Sequence, residues 1–314
     1  MSRTPEPSIS AVIAAYQAEE WIAQTLESIL GQTRPPEEIV VVDDGSTDGT
    51  ARELERFAGR IRIITQANGG TAAAFNVAFG AASGDFVAMC GADDLWEPDK
   101  LERQAAALRA HPEIDVAITG ARFFGLTNQA WMEYPQAGVL EPRAFTRELY
   151  RRNFICASST LIRRAICEQV GLFDERTPLC EDYDLWLRAL AAGGVFFYDP
   201  TCLVRYRAHA RQVTKNLLPM RQCEYAIHQR HTGLISDQRL AREVQANDLS
   251  NIARTLVDLD RPRDARGVFV ASLRRRPTPR VAAWIALLSA PDRYRLPLAD
   301  RIVSIKRAMY PLAL

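Results

Sequence analysis

"GDFVAMCGADDLWEPDK" (84–100) decides how this chain is read. Five apolar residues, Phe86 to Cys90, run without alternation, and the adjacent carboxylates Asp93 and Asp94 follow. An unbroken apolar run of this length is the pattern of a strand buried on both faces. Glu97 and Pro98 then open a helical pattern, with proline in the first turn, where its missing N–H costs nothing. Strand, acidic turn and helix in that order place two negative charges at the carboxyl end of a buried strand.

The same alternation runs outward from this stretch. Upstream, "SISAVIAAY" (8–16), "EEIVVVDDGS" (37–46) and "RIRIIT" (60–65) read as strands. Between and after them, "AEEWIAQTLESILGQ" (18–32), "STDGTARELERFAG" (46–59) and "GGTAAAFNVAFGAAS" (69–83) read as helices. The first of these carries Trp21, Ile22, Leu26, Ile29 and Leu30 on one stripe and stops at Gly31. Downstream, residues 97–110 continue as a helix and "IDVAITG" (114–120) as a strand. This rhythm predicts an α/β fold: a mostly parallel sheet flanked by helices on both faces. Such sheets bind ligands outside the carboxyl ends of their strands. Asp43–Asp44 and Asp93–Asp94 both fall there.

From 121 to 215 the rhythm breaks. "FICASSTLIRR" (154–164) is strand-like and leads into a helix near 163–170, residues 181–193 form an amphipathic helix, and 194–199 and 201–209 read as strands. Beyond 215 the patterns are helical only, over 219–235, 237–259, 262–275, 278–289 and 299–310.

Of the 314 residues, 47% are hydrophobic and 25% charged, as in a soluble globular protein. No run reaches the ~18 apolar residues of a membrane span. The opening MSRTPEPSIS has no apolar core, so no signal peptide is expected. Six scattered cysteines without CxxC spacing predict free thiols and a cytoplasmic location. The net charge of +1 hides an asymmetry. Residues 1–214 hold 21 Lys+Arg against 29 Asp+Glu, net −8, and residues 215–314 hold 18 against 9, net +9. A basic tail on an acidic body suggests an anionic partner, such as the inner face of a membrane touched peripherally. A solvated helical bundle would carry the same charge. The tail lacks interleaved aromatics, so nucleic acid is not an expected partner.

Three acidic pairs carry the chemical reading. Asp93–Asp94 repel one another in a partly dry crevice, and a divalent cation with oxygen ligands, Mn²⁺ or Mg²⁺, relieves that repulsion. Asp43–Asp44 precede the turn Gly45–Ser46–Thr47–Asp48. Glu181–Asp182 open a helix. Each pair also has a purely structural reading, as helix caps, turn residues or partners of a helix dipole. Asn68–Gly69–Gly70 precede a helix, where free N–H groups and small side chains let a ligand approach.

"VVVDDGSTDGT" (40–50), "NGGTAAAFNVAFGAASGDF" (68–86), "ADDLWEPDKLERQ" (92–104) and "CEDYDLWLRAL" (180–190) together resemble, in order, the motifs of family 2 glycosyltransferases. The resemblance covers residues 8–210. It implies a GT-A fold, a nucleotide-sugar donor, a divalent metal and inversion at the sugar. On that resemblance residues 1–215 would be the catalytic domain, with a nucleotide-binding half over 8–120 and an acceptor half over 121–215. Residues 216–314 would be a basic helical extension. The resemblance implies that Asp182, beside Glu181, is the general base and that Asp94 and Asp93 hold the metal. It places Ala15, Tyr16, Asp44, Asn68, Gly69, Gly70, Asn76, Asp93 and His209 around the donor. The acceptor would be a saccharide or a lipid-linked sugar in surface-glycan synthesis.

Two departures stand out. Gly91 occupies the position where the family's metal motif commonly has an aspartate, and Phe75 precedes Asn76 where an arginine is common. Gly91 keeps open a second reading, a nucleotide-sugar-binding scaffold with impaired catalysis. A nucleotidyltransferase is a third, but "AAYQAEEW" (14–21) has no Gly-rich basic phosphate loop after the first strand.

Overall fold

β1 (Ile9–Ala15) and β2 (Glu38–Asp43) are buried along almost their whole length, and they pair in parallel from Ser10↔Glu38 to Ala15↔Asp43. Ile9, Ala11, Ile13 and Ala15 join one apolar cluster with Ile22, Leu26 and Ile29 of α1 (Ile22–Leu30). Period-2 alternation turns Val12 to the opposite face. The computed structural model describes residues 6–127, 134–211 and 216–289. The chain divides into two compact units, Met1–Lys215 and Asn216–Leu314.

In the first unit α2 (Thr50–Glu55) leads to β3 (Arg62–Thr65), parallel to β2. The Ala-rich α3 (Thr71–Ala81) packs on β1 and β2 with Ala72, Ala74, Phe75, Ala78 and Phe79 buried. β4 (Phe86–Gly91) runs parallel to β1 on its other side. A two-residue β5 (Leu95–Trp96) and α4 (Lys100–Ala110) follow, and Leu101, Ala105 and Leu108 of α4 enter the cluster that holds α1. Next come β6 (Val116–Gly125), β7 (Gly138–Val139), α5 (Pro142–Arg151), β8 (Thr160–Arg163), α6 (Arg164–Val170), α7 (Glu181–Ala191) and β9 (Phe196–Ala208).

The strand order is β3-β2-β1-β4-β8-β6-β9-β5, with β7 on β9. The sheet is mixed rather than mostly parallel. β8 lies antiparallel between β4 and β6, and β5 and β7 pair antiparallel with β9. Direction of pairing leaves no trace in an apolar run, so the strand reading of 154–164 carried no sign of it. Within that stretch only Thr160–Arg163 is extended, because Ala157–Ser159 form a single 3₁₀ turn.

The two strands expected over 194–199 and 201–209 are one strand, β9, whose register with β6 shifts around Gly120. Pro200 has no N–H for the ladder, so the irregularity falls there. Gly120 makes room for it: a Cβ at 120 would lie 2.7 Å from Pro200 O and 3.0 Å from Thr201 O. α5 rises from a stretch with no clear pattern, yet its start is well specified. Glu141 accepts from the N–H groups of Arg143 and Ala144, and Pro142 sits at the first helical position.

The second unit contains α8 (Leu217–Arg230), α9 (Gln238–Asp258), α10 (Pro262–Arg275) and α11 (Pro279–Ser289). Ile252, Ala253, Leu256, Ala265, Phe269, Val281 and Leu288 form its core, with Phe269 stacked on Trp284. The buried His228 and Asp248 join α8 to α9 at 2.7 Å. The helix expected over 299–310 lies outside the described residues. Among the described residues no helix is long and apolar enough to cross a membrane.

Gly120→Ala is expected to destabilise the first unit by about 1–3 kcal/mol, because its new methyl meets backbone rather than a movable side chain. Urea unfolding checks this. An unchanged midpoint would mean the bulge does not depend on glycine.

Candidate active site

Hydrogen bonds stitch together the carboxyl ends of β1, β2 and β3. Asp44 N–H donates to Ala15 O at 2.8 Å and Gln66 N–H to Asp43 O at 3.0 Å. Gly45, at φ 72°, turns so tightly that a Cβ there would lie 2.8 Å from Asn68 N. Asp43 Oδ1 caps the turn by accepting from Ser46 N–H. Asp44, 3% exposed, reaches into the next loop. Its Oδ1 accepts from Gln66 Nε2 and Gly69 N–H, both at 2.8 Å, and its Oδ2 from Gly70 N–H at 2.9 Å. The N–H groups of Gly69 and Gly70, expected to be free for a ligand, are therefore spent on Asp44. Asn68 is exposed in this loop, and Tyr16 is exposed beside it on the β1 side. Asn76 also differs from expectation. Its amide exchanges two hydrogen bonds with the backbone of Phe173, so it fastens the 171–176 loop to α3.

At the end of β4, Asp94 is buried and Asp93 half-buried. Asp93 Oδ2 lies 2.8 Å from His209 Nε2. The His209 ring in turn lies on Trp21, with centroids 4.1 Å apart. Asp94 Oδ2 accepts from Ser158 Oγ, and its Oδ1 accepts from Arg207 N–H at 3.0 Å. The Arg207 side chain donates to Asp93 O and Gln24 Oε1. Burial, then the neighbouring charge of Asp93, pushes Asp94 well above the usual carboxylate range, and the bonds from Ser158 and Arg207 offset only part of this. Gly91 leaves the pair room: a Cβ at 91 would lie 3.0 Å from Asp93 Oδ1 and 3.1 Å from Asp94 Oδ2. Among the described residues no three His, Cys, Asp or Glu side chains converge as a ready metal site. Two crowded carboxylates still fit Mg²⁺ or Mn²⁺, ions bound through one or two carboxylates and completed by a substrate's phosphates.

The third acidic pair opens α7. Leu179, at φ 77°, bends the chain into it, a strained conformation of the kind that gathers at functional sites. The helix is clamped from below. Asp184 receives Arg188 Nε at 2.6 Å, and Arg188 also donates to Val170 O and Leu172 O. Burial, then the Asp182 charge, pushes Glu181 up to about 7, and its Oε2 is buried without a hydrogen-bond partner. Burial pushes Asp182 up to about 6, moderated by Tyr183 N–H and by Asn153 Nδ2 at 3.5 Å. Asn153 Oδ1 accepts from Ile155 N–H, so its NH₂ end is the one turned to Asp182.

The charges of the β4 pair and of Asp182 act on the same two buried groups. The Tyr206 hydroxyl is pushed up by burial and by Asp94, Asp93 and Asp182 together. The buried Cys156 thiol is pushed up by burial and by both Asp94 and Asp182. The β4 carboxylates and the start of α7 are therefore close enough to act on common neighbours. A cavity of about 330 Å³ between Glu6, Asp85, Arg109 and Arg163 opens at the other ends of the strands and touches none of these pairs. Ser158 and Asn153 escaped the sequence reading, since small polar residues in an apolar stretch carry no periodic signal.

The model of the glycosyl transferase family 2 matches residues 10–171. An uncharacterized glycosyltransferase of Rickettsia felis is 29% identical over 67% of this chain and 36% of its own length. This chain thus spans about a third of that relative. The putative teichuronic acid biosynthesis glycosyltransferase TuaG of Bacillus subtilis is 29% identical over 67% of this chain and 83% of its own. Among solved structures, S. aureus TarS 1–349 in complex with UDP-GlcNAc aligns at TM-score 0.67 and 17% identity, over 89% of this chain and 84% of its own. Mannosyltransferase PcManGT from Pyrobaculum calidifontis, in complex with GDP-Man and Mn²⁺, aligns at 0.54 and 19%, over 99% and 88%. These structures carry the fold, which is of the GT-A type.

Asp182 titrates near 3.8 in ordinary surroundings and near 6 here, so the fold disfavours its charge. That cost is absent below the lower value, grows between the two, and is complete above the upper one. Asp182→Asn is therefore expected to stabilise the protein at pH 8 by roughly 1–2 kcal/mol, discounted for partial exposure. The gain should vanish near pH 4. Thermal melts at both pH values check it, and a lower Tm at pH 8 would contradict it.

Proposed function

We propose that this chain, which belongs to glycosyl transferase family 2 and is a glycosyltransferase, moves a sugar from a UDP-linked donor to an acceptor hydroxyl with inversion. The observation that carries the reading is that Asp94 and Asp182 act on the same two buried groups, Tyr206 and Cys156, so the crowded carboxylates of β4 and the start of α7 are neighbours. A single displacement needs a charge-tolerant leaving-group end and a base opposite it, and the two centres supply one each.

In this reading Asp182 is the general base. Burial raises both members of the pair, Glu181 to about 7 and Asp182 to about 6, so Asp182 is the more readily ionised of the two. The acceptor hydroxyl gives its proton to the Asp182 carboxylate as its oxygen bonds to C1 of the sugar. The C1–O bond to the diphosphate breaks, and the nucleoside diphosphate leaves with that electron pair. Asn153 directs N–H toward the base and Arg188 holds its helix in place. Asp93 and Asp94 would hold a divalent cation, Mn²⁺ or Mg²⁺, with His209 steadying Asp93. When bound, that ion supplies positive charge against the departing diphosphate. Ala15 and Tyr16 at the end of β1 and the loop 66–70 braced by Asp44 form the wall for the nucleotide.

The acceptor is a saccharide or lipid-linked sugar in surface-glycan synthesis. The excess of 18 basic over 9 acidic residues in 215–314 supports peripheral contact with an anionic membrane face.

Calorimetric titration of UDP with and without Mn²⁺ tests the donor site. Wild type is expected to bind in a metal-dependent way, and Asp93→Ala with Asp94→Ala to lose that binding. If no nucleoside diphosphate binds with metal, the reading fails. Asp182→Ala should lower kcat by about 10²–10⁴-fold while UDP affinity stays within about twofold. The wild-type rate should fall on the acid side of about pH 6, as the base takes up its proton.

A further inference from the structure

Ser158 lies in the 3₁₀ turn Ala157–Ser159 and is 3% exposed. Its oxygen accepts from Gly91 N–H at 2.8 Å, and its proton goes to Asp94 Oδ2. With Asp94 ionised, as a metal ligand must be, the direction of both bonds is forced. A backbone N–H only donates, so the Gly91 contact uses a lone pair and leaves the single hydroxyl proton for Asp94. Arg207 N–H supplies a second fixed donor, to Oδ1 at 3.0 Å. With one donor on each oxygen the plane of the Asp94 carboxylate is set, and each oxygen keeps a lone pair.

We propose that Ser158 is a positioning residue that holds Asp94 in the orientation in which it takes a divalent cation. This rests on the reading of Asp93 and Asp94 as metal ligands.

The turn that carries Ser158 is itself fixed. Trp96 Nε1 donates to Ser158 O at 2.9 Å, and Gln104 Nε2 donates to Ser159 O at 2.9 Å. Ser159 Oγ closes the turn onto Cys156 O at 2.7 Å. The same glutamine accepts from the buried Lys100 ammonium, which also sits 4.1 Å from the centre of the Trp96 ring. α4 and β5 therefore hold the backbone of the turn that presents the hydroxyl to Asp94. Partners that orient a ligating carboxylate are worth about 10–100-fold in metal affinity.

The test is calorimetric titration of MnCl₂ into UDP-saturated protein, for wild type, Ser158→Ala and Ser158→Cys, with thermal melts in the absence of both ligands. Ser158→Ala is expected to weaken Mn²⁺ binding at least tenfold. The Mn²⁺ concentration for half-maximal rate should rise in step, and saturating Mn²⁺ should recover most of kcat. Ser158→Cys, close in shape but a weaker donor, should fall between the two. A purely structural role would lower Tm and leave Mn²⁺ affinity alone. A folded Ser158→Ala that binds Mn²⁺ as wild type does overturns the proposal and leaves the donor site standing. If Ser158→Ala does not fold, the same criterion applies to Ser158→Cys. Wild type that binds no Mn²⁺ in the presence of UDP overturns both readings.

Discussion

Asp93 and Asp94 are neighbours in the chain, and the fold brings them to the end of a buried strand where little water reaches Asp94. Two like charges so placed raise each other's energy, and every contact around them bears on that repulsion. Donors arrive from three other elements: the turn before β8, the backbone of β9, and His209 just beyond it. Even the bare Cα of Gly91 belongs to this arrangement, because the two carboxylates lie over it. The strand ends are thus held by a polar network whose members come from distant parts of the chain.

That network needs a stiff support, and α4 supplies part of it. Lys100 is fully buried, and burial pushes its ammonium down to about 7. It keeps a polar partner in Gln104 and an aromatic face in Trp96. Gln104 spans α4, β6 and the turn before β8, and no apolar residue could do that. The second acidic centre has its own support of similar design. Arg188 ties α7 to the last carbonyls of α6 and its exit, so the start of α7 cannot shift without α6.

Much of this was open to reading from the chain. Unbroken apolar runs such as Val40–Val42 and Phe86–Cys90 mark central strands, because both faces must be dry. Carboxylates following such runs mark the ligand edge. Pairing direction was closed to the same logic, since an apolar strand looks alike whichever way it runs. The antiparallel direction of β8 therefore appeared only in the structure, as did the 3₁₀ turn ahead of it, closed by the local bonds of Ser159 and Thr160 to backbone carbonyls. The free N–H groups expected at Gly69 and Gly70 failed for a related reason. Asp44, 25 and 26 residues earlier, folds across to take them, and no local window holds both partners. The start of α5 was legible after the fact, through Glu141 and Pro142. An amphipathic stretch between two unreadable loops did not stand out.

From Val204 onward β9 keeps a constant register with β6, so its side chains alternate there, and the alternation divides labour. Arg207 and His209 serve the Asp93 side, while Tyr206, just before them on the other face, senses Asp182 as well as Asp94 and Asp93. Loss or gain of one codon between 204 and 209 would exchange the two sets and spoil both at once. The irregular stretch Pro200–Leu203, where the register with β6 slips, lies upstream of that frame. A change of length can therefore be absorbed at that irregular stretch, whereas the spacing from Val204 to His209 admits none.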